Sequence, residues 1–295
     1  MGHRNQLGGL RVLCGESIRA GHHVALLFGL LFLSSGLAAQ QRDLILATTT
    51  SVRDAGLLEY LLPRFERHSR RRVKVIAVGS GQAMELGRRG EADILIVHDP
   101  GAEVEFMAQG HGSERFPMAH NEFAIVGPRG DRAGIGGMTS AVAAFQAIAR
   151  SRPRFVSRGD RSGTQAKELL LWGLAGVGLA AKTDPWYIES GQGMGATLQI
   201  ANELEAYTLT DIATLLTHAS PLELGILVKG DTLLRNPYHI VLIEARRFSW
   251  VDAAGAAQLK DYLLSPETQA AIAAYKREQF GRSIFVPDAV TCCEK

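Results

Sequence analysis

From Asp43 onward, short apolar runs alternate with stretches whose apolar residues recur at helical spacing, the pattern of an α/β fold with mostly parallel strands. Residues 43–47, 73–78 and 93–97 read as strands, with helices over 55–65 and 83–88 between them. A further strand at 123–126 is stopped by Gly127-Pro128. Helices are predicted over 139–150, 164–172, 194–205 and 210–217, and strands over 224–228 and 238–243. Two helices, 253–264 and 266–276, close the chain; Ser265 is placed to cap the second, with Glu267 in its first turn. There is no internal repeat and no low-complexity segment.

Ahead of this body the pattern changes. Residues 24–33 form an apolar run, preceded by Arg4, Arg11 and Arg19 and followed by small residues ending at Ala38 and Ala39. Such a run is too short to span a bilayer as a finished helix but fits a signal-peptide core. Residues 1–39 are therefore expected to be an export signal cleaved near Ala38 or Ala39, giving a periplasmic mature chain. No second apolar stretch approaches the length of a membrane span.

The same segment explains the charge. Of 32 basic and 30 acidic residues in the 295, residues 1–39 hold three bases and one acid, so 29 of each remain. A neutral body whose longest basic run is Arg70-Arg71-Arg72 gives no electrostatic reason to expect a nucleic-acid partner. A hydrophobic fraction of 46% supports a packed core and excludes disorder. Of the three cysteines, Cys14 precedes the apolar run, and Cys292 and Cys293 are adjacent in a tail at 291–295, where they staple nothing and make no metal site.

Ligands of open α/β sheets sit beyond the carboxyl ends of the strands, and four such junctions here carry one chemistry. Strand 43–47 runs into Thr48-Thr49-Thr50-Ser51, and strand 73–78 into Gly79-Ser80-Gly81-Gln82. Residues 155–157 run into Arg158-Gly-Asp-Arg-Ser162-Gly163-Thr164, and 188–190 into Gly191-Gln-Gly193-Met194-Gly-Ala-Thr197. Each is followed by a helix, so each offers hydroxyls, glycines and free helix N–H groups: a donor-rich, acceptor-poor setting suited to an anion. Ser and Thr before a helix are also ordinary caps, so the case rests on four junctions together with one arginine. Asp160 is the exception among donors. It either caps the following helix or pairs with Arg158 or Arg161, or else contacts the ligand itself.

These residues resemble a known family. Ala47-Thr-Thr-Thr-Ser51 with Gly56-Leu-Leu58, Val75-Ile-Ala-Val-Gly79, Ala92-Asp-Ile-Leu-Ile-Val-His98, Phe155-Val-Ser-Arg-Gly-Asp160 with Ser162-Gly-Thr164, Trp186-Tyr187, Gly191-Gln-Gly-Met-Gly-Ala-Thr-Leu198 and Ala206-Tyr-Thr-Leu-Thr-Asp211 are similar, in order, to the tungstate-binding components of tungstate ABC importers. The resemblance covers about 43–287. It implies a two-lobed type II periplasmic-binding-protein fold, with lobe I at 43–121 plus 238–290, lobe II at 122–237, and crossing segments at 121–126 and 238–243. It places the oxyanion ligands at Thr49, Thr50, Ser51, Ser80, Gly81, Arg158, Ser162, Gly163, Thr164, Gly193 and Met194. Relatives often carry Thr then Lys where this chain has Ser80 and Gln82, which keeps the hydroxyl and drops a charge. The implied ligand is tungstate or molybdate, bound as an oxyanion with no cofactor and no cation site. The implied partners are permease subunits of an importer, reached by a monomer. A phosphate or sulfate binder, or a ligand-sensing partner of a membrane receptor, would use the same fold.

Catalysis finds no support in the motifs. Ser162 lacks the G-x-S-x-G spacing of a nucleophile elbow, and there is no H-E-x-x-H, P-loop or dinucleotide fingerprint. His98, His111 and His120 are expected at surfaces or turns.

Overall fold

The structure, a computed structural model, describes residues 42–178, 184–218 and 221–289; the expected export signal, Cys14, Cys292 and Cys293 lie outside the described residues. In chain order the first elements are β1 (Leu44–Thr49), α1 (Thr50–Asp54), α2 (Leu57–Ser69), β2 (Val73–Val78), α3 (Ser80–Arg88), β3 (Ile94–Val97) and α4 (Pro100–Ala108). The long strand β4 (Gly112–Gly127) leads to α5 (Ala141–Ser151), β5 (Phe155–Ser157), α6 (Gly163–Leu174), β6 (Tyr187–Glu189), α7 (Met194–Glu203), β7 (Thr208–Asp211), α8 (Ile212–Thr217) and β8 (Gly225–Val228). A second long strand, β9 (Arg235–Ile243), returns the chain to α9 (Ala253–Leu264), α10 (Pro266–Ala274), α11 (Arg277–Phe280) and β10 (Val286–Pro287).

The first strands pair in parallel, β2 and β3 flanking β1, and β9 joins β3 antiparallel. The alternation of side chains along a strand divides their apolar residues between two faces. Ile94, Ile96, Ile240 and Leu242 pack with Leu58, Leu61, Phe65 and Leu259, whereas Leu95, Val97, Val241 and Ile243 pack with Met84 and Phe106. Strands covered on both faces read as continuous apolar runs, which is why 93–97 was legible.

Strand β4 serves two neighbourhoods. Through Glu122 it pairs with β9 and β10, and from Phe123 with β7 and β8. Its apolar residues follow suit: Met118 and Ala119 join the first core, while Phe123 and Ile125 pack with Phe145, Trp172 and Leu209, and Ala124 and Val126 with Met194, Leu198 and Ile212. At the changeover Asn121 faces Asn236 of β9.

Several sequence expectations are corrected. The strands are not mostly parallel: every pairing made by β4 and β9 is antiparallel, because these long strands carry the chain between neighbourhoods in opposite directions. The helix expected over 55–65 begins at Leu57 and runs to Ser69; Gly56, whose φ of 77° lies in the left-handed region, separates it from the short helix α1 at Thr50–Asp54, which was not expected. Thr210 and Asp211 belong to β7, and Asp211 caps α8 by accepting the Thr214 N–H. Helix α4 was missed although Asp99-Pro100 is a cap followed by proline at the first helical position.

Candidate functional site

Parallel pairing brings the carboxyl ends of β1 and β2 together, and β5 and β6 do the same in the second neighbourhood. Arg158, directly after β5, is 1% exposed. Its backbone is braced by the following junction: the carbonyl accepts from Gly191 N–H at 2.9 Å and from Ser190 Oγ at 3.2 Å. Its Nη2 donates to Thr50 Oγ1 at 3.1 Å and to Asp160 Oδ2 at 2.5 Å. The remaining guanidinium nitrogens, Nε and Nη1, are buried with no hydrogen-bond partner among the described residues.

Asp160 itself is engaged at both oxygens, since Oδ1 accepts the Ser162 N–H at 3.2 Å at the entry to α6. The pairing expected with Arg158 is thus present. Ser162 Oγ accepts the Gln165 N–H at 3.2 Å and so caps α6. Thr164 Oγ1, in the first turn of the same helix, and Ser80 Oγ, at the start of α3, are likewise buried with no partner among the described residues. Guanidinium nitrogens can only donate and hydroxyls can donate, so these four atoms form a donor set without an opposing acceptor. Buried polar groups normally find partners, and orphaned donors at the junctions after β2 and β5, an arginine among them, are the chemistry of an oxyanion cradle.

The junction loops meet across the site. Gly81 N–H donates to Arg161 O at 3.3 Å. A Cβ built on Gly163 would fall 2.5 Å from His98 O, so this approach requires glycine. A Cβ on Gly193 would lie 3.6 Å from Thr50 Oγ1. The Met194 side chain is buried in the apolar cluster with Leu198 and Ile212, which leaves only its main chain for a ligand. The hydroxyls of Thr49 and Ser51 are 3.1 Å apart, and Ser51 Oγ is 3.3 Å from His98 Nε2.

His98 is therefore not the surface or turn residue expected. It is 2% exposed, with Nδ1 2.9 Å from Asn236 Oδ1 and its ring 5.0 Å from that of Tyr238. Burial pushes its imidazole down to about 4, so it is neutral at pH 7. The signal that would have found it is positional, since it follows the carboxyl end of β3 as Thr50 follows that of β1. His120 is half-buried and pairs with Asp288 at 2.9 Å, and His111 is half-buried beside Phe106. Near β5, buried Glu168 accepts from Tyr187 OH at 2.8 Å and Trp172 Nε1 at 3.1 Å, and burial raises its carboxyl to about 7.

A fold in which two long strands join two sheet neighbourhoods, with strand-end loops converging from each, defines a class: the profile of the PBP superfamily domain matches residues 36–267. The tungstate-binding protein TupA of Peptoclostridium acidaminophilum is 41% identical over 84% of this chain and 86% of its own length. Among solved structures, that of the tungstate ABC transporter from Geobacter sulfurreducens is 42% identical, covers 79% of this chain and 99% of its own, and superposes with a TM-score of 0.72. The tungstate-binding protein TupA of Desulfovibrio alaskensis G20 is 37% identical over 84% of this chain and all of its own, with a TM-score of 0.71. The chain belongs to the PBP superfamily and, within it, to the family of these tungstate-binding proteins.

Proposed function

We propose that this protein is exported, binds tungstate as a tetrahedral oxyanion between two lobes, and presents it to the permease of an ABC importer without chemical turnover. The lobes are 43–121 plus 238–290 and 122–237, and the carrier acts as a monomer. The observation that carries the reading is the orphaned donor set: Arg158 Nε and Nη1, Ser80 Oγ and Thr164 Oγ1, drawn from both sides of the Asn121–Asn236 changeover. A donor-only cradle suits a fully deprotonated dianion such as tungstate or molybdate, because no acceptor is needed for a ligand proton. Hydrogen phosphate needs one. The carboxylate nearest the guanidinium, Asp160, already accepts from Ser162 and Arg158, which supports a structural role for it. Thr49, Thr50, Ser51, Gly81, Gly163, Gly193 and Met194 then shape the loops and supply main-chain donors.

Because donors come from both lobes, binding and closure are one equilibrium, which the ligand shifts by its preference for the closed form. A thermal-shift comparison tests the reading. Tungstate should raise the melting temperature in proportion to the logarithm of its concentration, molybdate less, and hydrogen phosphate little. Equal shifts from phosphate and tungstate would remove tungstate as the ligand.

A further inference from the structure

Three buried polar residues near the changeover lie outside the donor set: Asp211, Asn121 and Asn236. A chain of hydrogen bonds runs from them to the turn at Thr49–Ser51, and its directions can be read in sequence. Asp211 accepts the Thr214 N–H at Oδ1, 2.8 Å, and the Thr214 hydroxyl at Oδ2, 2.7 Å. A carboxylate only accepts, so the Asn121 atom 3.3 Å from Oδ1 is the amide nitrogen. Asn121 Oδ1 then accepts from Asn236 Nδ2 at 2.7 Å, and the same nitrogen also donates to Tyr238 OH at 2.8 Å. Asn236 is left with its oxygen facing His98 Nδ1, and an amide oxygen cannot donate, so Nδ1 carries the hydrogen. In the neutral ring that puts the lone pair on Nε2, where the Ser51 hydroxyl donates. Ser51 Oγ is in turn an acceptor for Thr49.

We propose that His98 is a positioning residue for the anion site: as the Nδ1–H tautomer it ties the turn at Thr49–Ser51 to the Asn121–Asn236 pair, so that this turn is set where the two long strands cross. This rests on the tungstate reading above. It also sorts the hydroxyls. Those of Thr49 and Ser51 are committed along the relay, whereas Thr50 Oγ1, accepting from Arg158 Nη2, keeps its own O–H for the ligand. The groups around the ring are Ser51, Asn236, Tyr238, Phe123 and Gly163, with Arg158, Glu103 and Asp160 the charges it senses.

The ring tautomer is directly observable. Nitrogen-15 spectra of the histidine side chains, assigned by comparison with His98→Gln, should show a neutral Nδ1–H ring for His98 with and without tungstate, from about pH 8 down to about pH 5. His98→Ala, which removes both partners, should weaken tungstate binding about tenfold, and His98→Gln, which restores an acceptor near the Nε2 position, should recover it to within about threefold of wild type. An Nε2–H or doubly protonated ring at neutral pH would overturn the relay, as would a His98→Ala protein that binds like wild type or a His98→Gln protein no better than His98→Ala. Should His98→Ala fail to fold, the tautomer still decides. Wild-type protein that ignores tungstate while showing the Nδ1–H ring would sink the ligand assignment and leave the relay standing.

Discussion

At the scale of single residues, the Arg158 guanidinium is divided: one nitrogen is held by Asp160 and Thr50, and the other two have no hydrogen-bond partner among the described residues. Charge-assisted bonds to an oxyanion contribute about 1.5–3 kcal/mol each. Arg158→Ala should therefore weaken tungstate binding roughly 10²–10³-fold in a titration while leaving the melting temperature of the unliganded protein nearly unchanged. If the variant unfolds instead, Arg158 is a partner of Asp160 first and a ligand second. Because a planar fork fixes donor geometry and an ammonium does not, Arg158→Lys should also narrow the preference for tungstate over molybdate in competition titrations; an unchanged ratio would move discrimination to the hydroxyl loops. Two buried groups set opposite pH dependences. Between about pH 6.5 and pH 4 the unfolded chain protonates His98 and the folded chain does not, so acid favours unfolding. Between about pH 7 and pH 4.5 the folded chain keeps Glu168 protonated and the unfolded chain does not, so acid favours folding. Each contributes about 3 kcal/mol over its window and the two largely cancel. Glu168→Gln should expose the loss, making urea stability fall more from pH 7 to pH 5 than in wild type. A variant that tracks wild type across that range would show that the carboxyl is not held protonated.

At the scale of elements, the strand-to-helix junctions matter more than the strands. The junction loops at 48–51, 79–82, 158–164 and 191–197 were legible because hydroxyls and glycines collect there beyond continuous apolar runs. What the sequence did not show is which hydroxyl is spent where. Ser162 is an ordinary cap, Thr164 two residues on is unpartnered, and Met194 turns its side chain into the core. Those differences arise from how helices α6 and α7 rotate against the sheet, which no local pattern records. Asn121 and Asn236 escaped notice, and His98 was expected at a surface or turn, for a related reason: each stands among polar or turn residues in the sequence, and only the antiparallel return of β9 against β4 brings the asparagines face to face. Helix α6 also offers a clean test of closure. Ala at position 163 would place a methyl group 2.5 Å from His98 O, yet alanine is a good helix former at the first position of α6. With the lobes parting in the unliganded protein as proposed, Gly163→Ala should lower tungstate affinity at least about tenfold without lowering the melting temperature of the unliganded protein, because the clash with His98 would then arise only on closure. Normal affinity would mean that this contact is not part of the bound state.

At the scale of the whole molecule, β4 links the two apolar neighbourhoods, and at its changeover Asn121 faces Asn236 of β9. Among the described residues no helix is long and apolar enough to cross a membrane. The central claim is that the site binds a fully deprotonated tetrahedral dianion through donors alone, and one calorimetric experiment addresses it. Tungstate titrated into the protein near pH 7, alone and then against a large excess of phosphate, should bind one to one with an isotherm that phosphate barely shifts, whereas molybdate should compete. Displacement of tungstate by comparable phosphate would make Asp160 an acceptor for a ligand proton and would contradict the account.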